Sequence, residues 1–248
     1  MDPVDIAIVA AAFFFAAFVK GATGLGFSTS AIAPLALALG LKTAIPLLIV
    51  PSLCSNLLVM RDAGHFRATL RHFWPLFLAA IPGVLMGLTL LAWIDGRPAG
   101  AVLGAVLVVY ALYALAKPDY RLGRLWGTAR GQVPVGALTG LVNGLTGSQV
   151  MPVLPYLMGL GLPPDRFVQA INCSFTVSSL VMLAGLSKLG LMTGPIALIS
   201  VLGILPVWLG VRAGTAVRRR LSDALFRRAV LILLIALGLS LVARLVPF

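Results

Sequence analysis

The sequence predicts an all-α polytopic membrane protein of two inverted repeats, each a broken or re-entrant helical unit followed by three transmembrane helices. Three observations predict it. Of the 248 residues, 60% are apolar and only 10% are charged. Hydrophobic stretches of spanning length recur along the chain. Two Gly-rich polar interruptions stand at matching places in its halves. A water-soluble domain carries about a quarter charged residues to cover its surface, a requirement that lipid removes. The acidic residues are seven Asp against nineteen Lys and Arg, giving a net charge of +12. The basic residues lie between the hydrophobic segments, where they read as orientation signals rather than nucleic-acid contacts.

Residues 44–60, 73–94, 98–116, 166–186, 191–211 and 226–247 each supply about 17–22 residues, roughly 25–33 Å of helix. Trp74 and Trp93 bracket the second of these as interfacial aromatics do. Gly83 with Gly87, Gly100 with Gly104, and Gly136, Gly140 and Gly144 recur at the spacing that lets helix backbones approach closely. Cys54 and Cys173 lie in apolar runs and form neither a disulfide framework nor a metal-ligand spacing, so no metal and no cofactor is expected. The acidic start, Met1-Asp2-Pro3-Val4-Asp5, is unlike a signal peptide, so the first apolar segment is expected to be retained.

The two interruptions behave differently from the spans. Residues 6–19 are apolar, Lys20 to Gly26 interrupt, and 28–41 are apolar again. Residues 133–142 are apolar, Asn143 to Gln149 interrupt, and 150–162 follow. Each flank is about 14 residues or fewer, too short to cross a bilayer alone. Lys20-Gly21-Ala22-Thr23-Gly24 matches Asn143-Gly144-Leu145-Thr146-Gly147; Pro34, Gly40 and Leu41 match Pro155, Gly161 and Leu162; Pro75 and Gly83 match Pro195 and Gly203. The chain therefore divides into a first repeat over 1–116, a basic linker over 117–131 and a second repeat over 132–248.

Charge selects the topology. If all eight segments crossed in turn, the basic residues would divide evenly between the two sides. If each broken unit is re-entrant, Arg61, Arg67, Arg71, Lys117, Arg121, Arg124, Arg130, Arg166, Arg212, Arg218, Arg219, Arg220, Arg227 and Arg228 share one side. Only Lys42, Arg97, Lys188 and Arg244 then remain opposite. The positive-inside rule prefers this arrangement, with the linker cytoplasmic and both termini outside.

Inverted repeats with broken segments meeting near the midplane are a transporter plan. Ser28 and Thr29 would begin one half-helix and Ser148 and Gln149 the other, turning two positive N-terminal ends toward the centre. Gly21, Gly24, Gly26, Gly144 and Gly147 would leave backbone N–H groups approachable. Lys20 is the basic residue expected within the membrane, where a charge is costly and functional. Thr23, Asn143 and Thr146 add neutral hydrogen-bonding groups, and Asn56, Asn172, Cys173 and Ser174 lie in the following spans where they can line the path. No Asp falls inside a span, so a carboxylate proton relay is not expected. Gly21, Gly24 and Gly26 lack the preceding strand of a dinucleotide loop. Ser148 has no histidine in any span to act as base, since His65 and His72 sit in a basic loop. No enzyme and no catalytic residue is expected. The expected partners are a small anion and the lipid bilayer; the oligomeric state stays open.

At these residues the chain resembles the sulfite exporter TauE/SafE family, also called the TSUP transporters. The resemblance rests on Gly21-Ala-Thr-Gly-Leu-Gly26 with Pro34 and on Gly140-Leu-Val-Asn-Gly-Leu-Thr-Gly147 with Pro155. Ser148-Gln149 stands where the family often shows a Gly-rich run, and Asn172-Cys173-Ser174 where it often shows Gly-Thr-Ser. The resemblance implies transport of sulfite, organosulfonates or thiosulfate across a bacterial cytoplasmic membrane. Residues alone reach only an anion transporter, with an importer or channel for another small anion or organic acid, or a structural membrane subunit, as alternatives.

Overall fold

The computed structural model describes residues 2–23, 26–116, 122–218 and 223–243. Gly24, residues 117–121 of the linker and 244–247 of the sixth predicted span lie outside the described residues. The first half contains α1 (Pro3–Thr23), α2 (Phe27–Leu39), α3 (Leu41–Ala63), α4 (Phe66–Trp93) and α5 (Gly96–Ala116). A 3-10 turn over Arg124–Gly127 leads into α6 (Ala129–Thr146), α7 (Val153–Gly159), α8 (Pro164–Lys188), α9 (Gly194–Leu202), α10 (Ile204–Arg218) and α11 (Asp223–Ala243). No strand occurs among the described residues. Six stretches are long and apolar enough to cross a bilayer: 3–22, 41–61, 66–93, 96–116, 165–188 and the α9–α10 pair over 194–214. The protein is an all-α multi-pass membrane protein.

The broken units are less symmetric than the sequence predicts. The expected 6–19 flank is part of a continuous 21-residue helix. Its start is fixed by reciprocal bonds, Asp5 N–H to Asp2 Oδ1 at 2.8 Å and Asp2 N–H to Asp5 Oδ2 at 3.3 Å. It runs on through Lys20 to Thr23, so the break falls between α1 and the α2 N-cap, Gly26, rather than at Lys20. Likewise α6 begins at Ala129, inside the predicted linker, and its 18 residues give about 27 Å. Each unit is thus a helix of spanning length followed by a short one, 13 residues in α2 and 7 in α7. α2 folds back along α1: the Phe27 ring lies 6.1 Å from that of Phe13, well before the end of α1. α7 is tied to the segment before α6, with Tyr156 Oη donating to the Trp126 carbonyl at 2.6 Å and Leu122 N–H to the Gly159 carbonyl at 2.8 Å.

Glycine sets how the helices pack. A Cβ on Gly136, Gly140 or Gly144 of α6 would overlap the backbone carbonyls of Leu76, Ala80 or Val84 of α4, and one on Gly83 or Gly87 would overlap those of Ala137 or Leu141. Backbone therefore lies on backbone along the whole crossing, as small-residue interfaces in membranes allow. The pair α1–α10 repeats it. Gly83 meets Ala137 and Leu141, and Gly87 meets Leu141 and Leu145; Gly210 meets Phe14 and Phe18, and Gly214 meets Phe18 and Ala22. Adding 123 to the α1 numbers and 127 to the α4 numbers converts either contact set into the other.

The sequence match of Gly83 to Gly203 is therefore displaced by seven residues in space, to Gly210. Seven residues are two helical turns, so the same face is kept, and the interruption between α9 and α10 at Gly203, against which Phe13 packs, is where the register changes.

Two further helix pairs cross antiparallel. In α5 and α11, Gly104 packs on Gly238 and Gly100 approaches Leu241, while Ala111 clusters with Leu231. In α3 and α8, Met60 is bonded by Thr176 while Ile49 and Met182 face one cavity. These crossings enclose a core of Phe13, Ile32, Leu35, Ile45, Leu47, Leu103 and Leu107, and α2 lies inside it. Trp74 and Trp93 of α4 point outward, 55% and 90% exposed, as belt residues do.

Space at these glycines is not uniform. A Cβ on Gly87 would overlap backbone, whereas one on Gly100 would meet only Leu241 Cδ2 at 3.8 Å. Gly87→Ala is expected to cost about 1–3 kcal/mol through overpacking, and Gly100→Ala to leave stability near wild type. Thermal unfolding of the two detergent-purified variants checks the contrast.

Candidate functional site

The site is built where the two breaks meet the middle of α3 and α8. Gly26 holds a left-handed backbone, φ 92°, that only glycine adopts freely, and this turn starts α2. The N–H groups of Phe27, Ser28 and Thr29 in the first turn of α2 have no partner within the helix, while Ser30 N–H already bonds to the Gly26 carbonyl at 2.9 Å. That end carries the positive pole of a 13-residue helix. Beside it, Lys20 reaches inward from the last turn of α1 and is 6% exposed. Its ammonium donates to Ser55 Oγ at 2.8 Å and to Asn56 Oδ1 at 3.1 Å. Both acceptors are neutral. Ser55 in turn donates to the Ser52 carbonyl at 2.8 Å, which fixes it on the α3 face that meets Lys20.

Lys20, Gly26, Phe27, Ser28, Thr29, Asn56, Gln149, Val150, Asn172 and Phe175 line one narrow cavity. Lys20 is the charged member of this wall and no carboxylate joins it. A buried ammonium, a helix N-terminus, and Asn56 Nδ2, which is buried without a hydrogen-bond partner among the described residues, all offer positive or donor character to the same space. Such a set of groups suits a compact anion. A second narrow cavity adjoins it, lined by Ser28, Ile45, Leu48, Ile49, Ser52, Gly147, Gln149 and Met182. Ser28 Oγ lies 3.0 Å from Ser52 Oγ, and Gln149 Nε2 donates to Ser179 Oγ at 2.8 Å.

The structure thus brings together Lys20, Gly26, Ser28, Thr29, Gln149, Asn56 and Asn172, with Gly147 in the second cavity. The other candidates lie elsewhere. Gly21 packs on the α10 backbone at Val211, and Gly144 on α4. Thr146 is a local cap, donating to the Val142 carbonyl at 2.6 Å and accepting from Ser148 N–H at 3.2 Å. Asn143 is fully buried and neither amide atom is hydrogen-bonded among the described residues; the Ser148 hydroxyl is likewise buried and unpaired. Cys173 packs in the apolar cluster with Phe73 and Leu157, and Ser174 is buried outside both cavities. Thr23 ends α1, its side chain outside the described residues, as is Gly24.

One expectation needs correction. Ser148 and Gln149 do not begin a half-helix: Gly147, at φ 73°, ends α6, and residues 148–152 are non-helical before α7 starts at Val153. The cause lies in the Thr146–Ser148 bond and in the Val150 and Pro152 carbonyls, which receive the first helical bonds of α7 from Leu154 and Tyr156. Gln149 therefore reaches the cavities as part of an extended connection.

Sequence reasoning missed Ser52, Ser55 and Ser179. Ser52 stands three residues before Ser55 and four before Asn56, so both lie beside it on one side of α3, a polar stripe in an apolar span. That spacing was the available signal.

The family described as sulfite exporter TauE/SafE has a model that matches residues 9–241. The chain belongs to this family. Neither the curated proteins nor the solved structures give a match. The matched span includes both breaks, the residues lining both cavities, five of the six spanning stretches in full and the first from residue 9 on, so the TauE/SafE assignment covers every residue that lines the site. The chain is accordingly a membrane transporter by family.

Proposed function

We propose that the protein carries a small sulfur-containing anion, such as sulfite, an organosulfonate or thiosulfate, across a bacterial cytoplasmic membrane. The anion is held by the Lys20 ammonium and the α2 N-terminus, and export is the working direction. Lys20 carries the reading. A charge so deep in a helical bundle is costly unless paired, yet its partners Ser55 and Asn56 are neutral and it faces a cavity without a carboxylate. An anion completes that pairing. An inside-negative potential favours its exit by about 2.3 kcal/mol per charge per 100 mV, so export needs no proton relay.

The same reading makes residues 1–116 and 132–248 inverted repeats joined by a cytoplasmic linker, with both termini outside. The antiparallel crossings of α3 with α8 and of α5 with α11, and the duplicated glycine contacts of α1–α10 and α4–α6, support it. It places the anion between two related halves, where a rocking of one against the other exposes it to either side.

Two experiments test these statements. In calorimetry on purified protein, Lys20→Gln is expected to weaken sulfite binding at least tenfold, about 1.4 kcal/mol, while Lys20→Arg keeps part of the affinity; equal affinity in Lys20→Gln would remove Lys20 from the site. For topology, single cysteines at Ala68, Gly127 and Ala224, in a background lacking Cys54 and Cys173, are expected to resist an impermeant thiol reagent applied outside. Labelling at Ala224 with Gly127 protected would restore sequential crossings.

A further inference from the structure

We propose that the two cavities are consecutive compartments of one anion pathway and that Gln149, lining both together with Ser28, decides which anions pass between them. The proposal rests on the transporter reading above and adds the passage beyond the Lys20 site. The first cavity, with Lys20, Asn56, Asn172 and Phe175, lies toward the ends of α3 and α8 that carry Arg61 and Arg166. The second, with Ile45, Leu48, Ile49 and Met182, lies toward the opposite ends, which carry Lys42 and Lys188. The residues common to both walls are Ser28 and Gln149. Only the first wall contains a charged side chain, so an anion is held there and loses its Coulomb partner on entering the second. Binding followed by release is the sequence of events a pathway requires.

The shared wall is made of groups that serve an anion without trapping it. Gln149 is 4% exposed, its Nε2 is bonded to Ser179 Oγ at 2.8 Å, and its Oε1 is buried with no hydrogen-bond partner among the described residues. A serine hydroxyl both donates and accepts, so the amide can turn over without losing Ser179: Oε1 then receives the Ser179 O–H and Nε2 is presented to the anion. The turned amide satisfies the oxygen that is unpaired at rest and provides a neutral donor beside Ser28. Because the amide also occupies the passage, its size restricts transit to compact anions.

Flux of sulfite and of benzenesulfonate through proteoliposomes holding the purified full chain tests this. Gln149→Met keeps the length but removes the donor, and is expected to lower sulfite flux at least tenfold. Gln149→Ala widens the wall and is expected to lower the sulfite-to-benzenesulfonate flux ratio at least threefold. If the methionine variant is not monodisperse after purification, the alanine ratio decides alone. Unchanged sulfite flux and an unchanged ratio in folded variants would overturn the proposal while leaving the transporter reading intact. Absence of sulfite and sulfonate flux in the wild type would instead bring down that reading, and this inference with it.

Discussion

The ammonium of Lys20, bonded to Ser55 and Asn56 in the interior of a helical bundle, is the interaction on which the remaining architecture turns. A lysine in hydrocarbon requires nearby polar groups and space for a counter-charge. Each neighbouring feature answers that requirement. α1 stays helical to Thr23, which aims Lys20 at α3. Gly26 takes a left-handed turn, which delivers the N-terminus of α2 to the same cavity. The serines of α3 accept or relay hydrogen bonds where an apolar span would otherwise leave the ammonium unserved. The second half supplies Gln149 and Asn172 instead of a second charge, so the site is electrostatically one-sided.

Close helix approach is what makes this centre enclosed. With backbone on backbone along α4–α6 and α1–α10, the breaks at the ends of α1 and α6 are drawn to the middle of the bundle, and side chains as small as Ser28 and Ser52 meet across it. The non-helical backbone at 147–152 is tolerated because it lies inside protein rather than against lipid. Among the described residues, Asn56 Nδ2 and Gln149 Oε1 are buried without a hydrogen-bond partner, and both residues line the first cavity. Buried polar atoms are normally paired, so these two are available to a polar guest.

Much of this was legible in the chain. The spans followed from uninterrupted apolar length, the breaks from Gly, Thr and Asn at matching places, and Lys20 from its position inside an apolar segment. The helix ends were not legible. α1 passes through Lys20-Gly21-Ala22-Thr23 because residues distant in sequence, Ser55, Asn56 and the Val211 backbone, receive Lys20 and Gly21; local composition reads the same residues as a stop. Gln149 was legible, but as a helix start, since the local bond between Thr146 and Ser148 and the turn at residues 151–152 are backbone details no spacing reveals. The two-turn register shift between α4 and α10 escaped for a related reason: Gly83 and Gly203 match by eye, while packing pairs Gly83 with Gly210. Ser179 acquires meaning only once Gln149 is seen beside it.

The central claim is that Lys20 and the end of α2 hold a sulfur oxyanion in transit. The most direct measurement is efflux of isotopically labelled sulfite from proteoliposomes containing the purified protein under an inside-negative potential, compared with protein-free vesicles. The account predicts saturable efflux that rises with the imposed potential. Efflux no faster than from protein-free vesicles, for sulfite and equally for thiosulfate and a small sulfonate, would contradict it.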